Sequence, residues 1–189
     1  ILQAWYPGQA GGQAVAEVLF GDYNPAGKLP LTFYRNLAQI PDFEDYNMTG
    51  RTYRYMKETP LFPFGHGLSY TTFKYGKLKM NDDKIAAGQN LNLVIPVTNT
   101  GSRDGDEVVQ VYLKKMDDTE GPVKTLRAFK RVRIPAGKTV EVKFSLNDTQ
   151  LEWWDEQSNT MRVCPGNYTV MIGGTSCEKS LLSRTFTIR

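Results

Sequence analysis

Alternation of apolar and polar residues from residue 73 to the end constrains the fold more than any other feature of this chain of 189 residues. Successive side chains of a strand point to opposite faces, so a period of two predicts strands with one buried face. Turn signals such as Asn99-Thr100-Gly101 and Pro165-Gly166 separate these runs. The runs fall near 73–80, 91–97, 109–113, 126–134, 140–146, 168–172 and 186–188. About seven short strands of this kind are typical of an immunoglobulin-like β-sandwich.

One aromatic residue supports this interpretation. Tyr168 follows the Pro165-Gly166 turn and enters a late strand. This is the position of a tyrosine corner, in which a buried hydroxyl bonds to a backbone carbonyl a few residues upstream. We therefore expect a mainly β protein with its sandwich in residues 71–189.

Residues 1–35 carry a different pattern. Val15, Val18 and Leu19 stand at i, i+3 and i+4 and predict one apolar stripe on a short helix, which Gly21 would end. The apolar run Leu29 to Phe33 could form a strand. One helix and one strand cannot enclose a core, so this short α/β remnant must pack on something else. The stripe also predicts self-association, since an exposed apolar patch tends to find a partner.

Residues 36–70 show no sustained period. They contain Pro41, Pro60 and Pro63 together with many aromatic residues, whereas a flexible linker would be rich in Gly, Ser and other polar residues. This composition predicts a long ordered connector that lies on neighbouring surfaces.

Charge and composition exclude several classes of protein. The chain has 23 Lys and Arg against 20 Asp and Glu, and the net charge of +3 is too small for a nucleic-acid surface. No apolar run reaches the roughly 20 residues of a membrane helix, and the N-terminus lacks the features of a signal peptide. One His and two Cys leave little material for a metal or thiol site. We expect no nucleic-acid partner, no membrane contact, no metal and no cofactor.

Several motifs, in order, resemble the C-terminal part of glycoside hydrolase family 3, the family of β-glucosidases and β-xylosidases. Ala10 replaces a Glu that is usual in many members of that family. The resemblance covers essentially the whole chain and is carried by WYPGQAGG at 5–12, VLFGDYNPAGKLPLTF at 18–33, RTYRY at 51–55, PLFPFGHGLSYT at 60–71, VTNTG at 97–101, GDEVVQVY at 105–112 and FKRV at 129–132.

The resemblance implies a domain organisation. Residues 1–35 would be the C-terminal piece of an α/β sandwich domain, 36–70 a connector, and 71–189 a fibronectin type III-like β-sandwich. The partners would be the barrel and α/β domains of a parent glycosidase, periplasmic or secreted, that acts in plant polysaccharide breakdown. In that family the nucleophile lies on the barrel and the acid/base lies upstream of the YPG motif, so we expect no catalytic residue in this chain and no activity of the chain alone.

The segment 50–55 looks more like β-xylosidases than typical β-glucosidases. The chain would then be a non-catalytic accessory part that stabilises the catalytic domains. A free-standing carbohydrate- or protein-binding module is the alternative, although such a module has no reason to carry the helix and apolar run of residues 1–35.

Local acids could in principle replace the two carboxylates that a retaining glycosidase holds about 5–5.5 Å apart. The candidates form two clusters, both interpreted as exposed surface with nothing to raise a pKa: Asp42, Glu44 and Asp45 in the connector, and Asp104, Asp106 and Glu107 in a turn.

Four residues are candidates for sugar contact. Arg51 and Arg54 could reach the rim of an active site and donate to sugar hydroxyls, or could pin the connector by hydrogen bonds. Trp153 and Trp154 could stack on a sugar ring, although adjacent residues of a strand point to opposite faces and one ring would then pack inward.

The single histidine and the two cysteines are interpreted as structural. His66 lies between two glycines in an expected tight bend. Cys164 and Cys177 flank the penultimate strand, and they are either a disulfide or two reduced, buried thiols.

Overall fold

The period-two segments form strands that pack face to face in the computed structural model, which describes residues 1–189. The predicted mainly β fold is confirmed. The strands are β1 (Phe73–Tyr75), β2 (Lys79–Met80), β3 (Lys84–Ile85), β4 (Leu91–Asn99), β5 (Gly105–Lys115), β6 (Thr125–Ile134), β7 (Thr139–Leu146), β8 (Trp153–Asp155), β9 (Thr160–Arg162), β10 (Gly166–Gly173) and β11 (Leu182–Ile188).

Two sheets make the sandwich. In the first, β4 pairs with β7 on one side and with β1 and β2 on the other. The second has the order β3-β11-β10-β5-β6, and only its β3–β11 pair is parallel. The hairpin β8–β9 stands apart from both sheets.

The first strand is divided, which the sequence did not predict. The run expected over 73–80 is split into β1 and β2, which pair with different parts of β4. Pro96 of β4 lies beside the break, where its carbonyl accepts a hydrogen bond from the Gly76 amide at 2.8 Å. Proline has no amide hydrogen to donate to a ladder, and this explains why the pairing is interrupted here.

The core lies between the two sheets and contains 21 buried residues. The alternating residues of β4, from Leu91 to Val97, are fully buried in it. The Tyr168 ring stacks on Phe186 with 5.5 Å between ring centroids, and its hydroxyl donates to the Cys164 carbonyl at 2.8 Å. The predicted tyrosine corner is confirmed.

The helices are short: α1 (Gly11–Phe20), α2 (Thr52–Tyr55) and α3 (Asp148–Leu151), with single 3₁₀ turns at Leu37–Gln39 and Glu178–Ser180. The predicted helix α1 is present and ends where Gly21 takes a positive φ of 84°, a conformation that glycine adopts at little cost. None of these helices has the length and apolar character needed to cross a bilayer.

The apolar run Leu29 to Phe33 is not a strand, so that expectation was wrong. A single bridge joins Phe33 to Phe62, and the Leu29 amide donates to the His66 carbonyl at 2.8 Å. Pro30 has no amide hydrogen and prevents a continuous ladder. The segment nevertheless packs against the connector, which provides part of the packing surface that residues 1–35 lack by themselves.

The connector is ordered, as predicted, and covers the outer face of the second sheet. The Tyr53 ring stacks on Phe64 at 4.3 Å and meets Tyr112 of β5 edge-on at 5.8 Å. Beside it, Gln110 donates to the Gly174 carbonyl at 2.7 Å. Consecutive residues Val109 to Leu113 are therefore all buried, because β5 has the core on one face and the connector on the other.

Residues 1–35 dock on one end of the sandwich through polar contacts. Asn24 accepts hydrogen bonds from the Ser69 hydroxyl and the Tyr70 amide, both at 2.8 Å, and donates to the Asp104 carbonyl at 2.9 Å. Arg131 of β6 donates to the Tyr23 hydroxyl at 2.9 Å. One asparagine thus joins the N-terminal segment, the connector and the sandwich.

Candidate functional site

A cleft of about 750 Å³ lies where the connector, the β5–β6 loop and the β8–β9 hairpin meet. Its walls include three of the four residues that the sequence proposed for sugar contact, namely Arg54, Trp153 and Trp154. Ligand pockets of comparable volume are mostly apolar, whereas most residues that line this cleft are polar or charged. The fold brings Arg54 and the tryptophans together although about 100 residues separate them in the sequence.

The two tryptophans play different parts. Trp153 is 3% exposed, its indole donates to Asp118 at 2.6 Å, and its ring lies against Tyr168 and the Arg127 guanidinium. Trp154 is 50% exposed. The alternation predicted for adjacent strand residues is present in β8, so a single ring is available to a ligand.

Two arginines from different elements form one side of the cleft. Arg54 comes from α2 and Arg127 from β6. Arg127 donates to the Glu152 carbonyl at 2.7 Å, and burial, followed by the nearby charge of Arg54, lowers the pKa of its guanidinium. Sequence reasoning missed Arg127, because its position in the cleft depends on contacts between β6 and the β8–β9 hairpin.

Arg51 lies away from the cleft. Its Nε donates to the Asn47 carbonyl at 2.8 Å, and the same guanidinium donates to the Asp45 carbonyl. In this chain Arg51 therefore holds the loop before α2 together, the second of the two roles considered for it. Contact with a substrate rim stays a prediction for both Arg51 and Arg54.

Two of the three connector acids, Asp42 and Asp45, cap local backbone, and Glu44 is exposed. The Glu44 amide donates to Asp42 at 3.0 Å, and the Asn47 amide donates to Asp45 at 2.9 Å. The Asn47 hydrogen bonds lower the pKa of Asp45 below its ordinary value. These groups have the surface character expected of them.

Glu107 differs from its expectation. It is buried, not exposed, because the period of β5 places it on the same side as Val109 and Val111. Lys28 lies 3.3 Å from its carboxylate, and the Tyr75 hydroxyl donates to it at 3.0 Å. Burial raises its pKa, while Lys28 and Tyr75 act in the opposite direction. Extending the alternation two residues towards the N-terminus would have identified it.

Asp104 and Asp106 lie at the same end of the sandwich and are engaged. Asp106 pairs with Arg131 at 2.7 Å, and Asp104 accepts from the Ala136 amide at 2.9 Å. Together with Glu107, all three acids of this cluster therefore have structural partners.

The histidine and the cysteines hold structural positions. His66 stacks on Phe62 at 5.2 Å inside a turn closed by its amide and the Pro63 carbonyl at 3.0 Å. Both cysteines are free, so the disulfide alternative is wrong, but only Cys164 is buried and Cys177 is half-buried. No group of three or more His, Cys, Asp or Glu residues could hold a metal ion.

Family models match both halves of this arrangement. Residues 1–70 match the glycosyl hydrolase family 3 C-terminal domain, and residues 107–176 match the fibronectin type III-like domain. The motifs and the docked sandwich therefore define the C-terminal region of a class of glycoside hydrolases. The chain belongs to glycoside hydrolase family 3.

Curated relatives carry the likeness over the whole chain. A protein of Xylanibacter ruminicola named xylan 1,4-beta-xylosidase is 53% identical over 188 residues, which is 100% of this chain and 22% of that protein. The periplasmic beta-glucosidase of Salmonella typhimurium is 38% identical over 94% of this chain and 25% of its own length. The chain thus spans about a quarter of the length of these relatives.

A solved structure gives the same result for the fold. A β-glucosidase from Erythrobacter marinus superimposes with a TM-score of 0.83 at 38% identity and covers 98% of this chain and 24% of its own. The helix, the connector and the sandwich therefore match as one unit.

Proposed function

We propose that this chain is the non-catalytic C-terminal part of a family 3 exo-glycosidase of plant polysaccharide breakdown and that it stabilises the catalytic domains by packing on them. The distribution of exposed apolar side chains carries the proposal. Sixteen of the 21 exposed large hydrophobic residues lie in residues 1–70, among them Phe20, Leu37 and Phe43. The sandwich buries its own core, so the surface that still needs a partner is that of the N-terminal segment and the connector.

The arrangement of acids supports a non-catalytic role. A retaining glycosidase needs one carboxylate free to attack and a second able to exchange a proton, about 5–5.5 Å apart. Of the acids considered above, all but the exposed Glu44 are engaged in loop caps, ion pairs or the buried Lys28–Glu107 contact. Catalysis would then depend on other domains, and residues 1–35, 36–70 and 71–189 would serve as α/β remnant, connector and accessory sandwich.

The names of the relatives favour a β-xylosidase over a β-glucosidase. The relatives at 53% and 40% identity are both named xylosidases, while the Salmonella protein at 38% is a β-glucosidase. That protein is named periplasmic, which supports a periplasmic or secreted parent for this chain.

Self-association is the second partner that we propose. Val15 and Val18 are half-buried against the rest of the chain, whereas Leu19 is 65% exposed and Phe20 lies beside it. The outer part of the stripe is thus open to another copy when no larger partner covers it.

A carbohydrate-binding role is the alternative function, and the cleft with the exposed Trp154 favours it. It would add to an accessory role, because the cleft is lined by residues that follow the end of β5, whereas the N-terminal segment docks beside Asp104, just before its start.

Hydrolysis of aryl glycosides tests the proposed function. The 189-residue chain and the proposed parent glycosidase that contains it would each be assayed with p-nitrophenyl β-xyloside and β-glucoside. We expect no turnover by the chain alone, and turnover of the xyloside in preference to the glucoside by the longer protein. Turnover by the chain would overturn the non-catalytic assignment, and a preference for the glucoside would overturn the choice of sugar.

A further inference from the structure

Phe129 is the most exposed large apolar side chain of the sandwich. It lies on β6, the edge strand of the second sheet, and is 65% exposed. Single exposed apolar side chains are common on protein surfaces, so the meaning of this one depends on what lies beside it. The other exposed large apolar residues of the sandwich lie elsewhere, after β5, on the β8–β9 hairpin and on β11: Met116, Trp154, Met161 and Leu182.

The neighbours of Phe129 are places where other segments of the chain dock on the sheet. Its partner across the β5–β6 ladder is Gln110, which donates to the Gly65 carbonyl of the connector at 3.4 Å. Two residues further along the same face of β6, Arg131 donates to the Tyr23 hydroxyl at 2.9 Å. Phe129 therefore lies at the border of the surface on which the connector and the N-terminal segment are docked.

The uncovered end of α1 is close to this border. Leu19 and Phe20 precede Tyr23 by four and three residues, and they are 65% and 84% exposed. They belong to the apolar surface that the catalytic domains are proposed to cover. A domain that covers both of them and extends past Tyr23 along the outer face of β6 reaches Phe129.

The charges beside Phe129 do not oppose an apolar contact. Arg131, on the same face of the strand, pairs with Asp106 at 2.7 Å. Lys130 points to the other face and donates to the Lys143 carbonyl. A partner can therefore cover the ring without removing water from an unpaired charge, which would be costly.

A second copy of the chain is a poor partner for this position. Two β6 strands related by a two-fold axis would bring like charges together, because the strand carries four basic residues and no acidic one: Arg127, Lys130, Arg131 and Arg133. The rest of a parent glycosidase is the better partner, because relatives of the chain are about four times as long.

We propose that the sandwich itself contacts the catalytic domains, and that Phe129 packs on an apolar surface of the same domain that covers Leu19 and Phe20. This inference rests on the proposed function, which assigns the contact to the N-terminal segment and the connector. It adds a contact from β6, so that the sandwich is fixed to the catalytic part by its own sheet as well as by the chain that leads into it.

Thermal inactivation of the parent glycosidase and urea unfolding of the 189-residue chain test this contact with the same substitutions. Phe129→Ser should shorten the half-life of the parent's activity at least threefold, because a buried ring is lost. It should leave the urea midpoint of the chain unchanged, because the ring is exposed there. Phe129→Leu keeps an apolar side chain and should stay within twofold of the wild-type half-life. Leu182→Ser, on β11 three strands away in the same sheet, is the control and should also stay within twofold.

Phe20→Ser separates this inference from the proposed function. If it shortens the half-life of the parent and Phe129→Ser does not, Phe129 lies outside the contact although the domains pack as proposed. If neither substitution shortens the half-life, the proposed packing is rejected together with the role of Phe129. An equal loss of stability in the chain and the parent would place the role of Phe129 inside the sandwich, and an equal loss in Leu182→Ser would show only a general surface effect. Either result would overturn the contact.

Discussion

The Lys28 ammonium lies 3.3 Å from the carboxylate of Glu107, and this ion pair joins the N-terminal segment to β5 of the sandwich. Both side chains are largely withdrawn from water, with 16% and 7% of their surface exposed. An ion pair in such a position stabilises little by itself but is costly to break, because the remaining charge keeps its desolvation penalty. Docking of residues 1–35 should therefore depend on both partners.

Glu107 should give the stability of the chain a distinctive pH dependence. Burial raises its folded-state pKa above the ordinary 4.5. Between 4.5 and the folded pKa, the folded protein holds a proton that the unfolded chain has lost, so the free energy of unfolding falls as pH rises through this window. We expect urea unfolding to show this fall in the wild type and not in Glu107→Gln.

Asp104 provides a control of opposite sign. Its pKa is lowered by the hydrogen bond from the Ala136 amide, so its contribution to stability is lost as pH falls through its folded pKa. Asp104→Asn should remove a slope on the acid side only. A window above pH 4.5 that is unchanged in Glu107→Gln would contradict the role given to Glu107.

The tyrosine corner should be worth a measurable part of the stability. Tyr168→Phe keeps the ring on Phe186 but removes the donor to the Cys164 carbonyl. We expect a loss of about 1–2 kcal/mol in chemical denaturation, since a buried carbonyl is left unpaired. Tyr46→Phe, at a side chain that is 88% exposed, should change stability by less than about 0.5 kcal/mol. Equal effects of the two substitutions would show that the corner contributes nothing specific.

The apolar stripe of α1 should determine self-association. Leu19→Glu places a charge on a side chain that is 65% exposed and should shift sedimentation profiles towards monomer at high protein concentration. Phe129→Glu, at an equally exposed position on β6, is the matched control and should leave the profile unchanged. A wild-type chain that stays monomeric at all concentrations would reject this surface.

The connector should detach when its aromatic anchor is lost. Tyr53→Ala removes the ring that stacks on Phe64 and meets Tyr112. Limited proteolysis should then cut residues 36–60 at least several-fold faster than in the wild type. Tyr53→Phe keeps the ring and loses only the acceptor for the Leu126 amide, so its cleavage should remain close to that of the wild type. Phe43→Ala, at an exposed ring, should have no effect.

Period and turn signals predicted the sandwich because strand alternation is a local property. The alternation of apolar and polar residues around Leu91 and Tyr168 is enough to predict that these two side chains point into the core. The division of the first strand was not predictable, because Pro96, which lies beside the break, is 20 residues further along the chain. The prediction of a strand from Leu29 to Phe33 was wrong for a related reason. The partners of this segment lie in the connector, and no local pattern identifies them.

The candidate site was predictable only in part. Arg54 and Trp154 were identified by residue type, which says what a side chain can contact. Their meeting with Arg127 and Thr125 depends on the packing of α2 and β8 against β6, which the sequence pattern does not encode. Glu107 is the opposite case. The alternation of β5 predicts that it is buried, but the turn residues just before it led to its interpretation as exposed.

The covering of β5 on both faces has a consequence for how this region can be exchanged between genes. A recombination junction at Phe73, where the sandwich begins, would leave Gln110 and Tyr112 facing water without Phe64 and Tyr53 above them. A junction before Arg51 would carry the cover along with the sheet. The segment that can be exchanged with its β5 cover intact is therefore longer than the sandwich, and it begins within the connector.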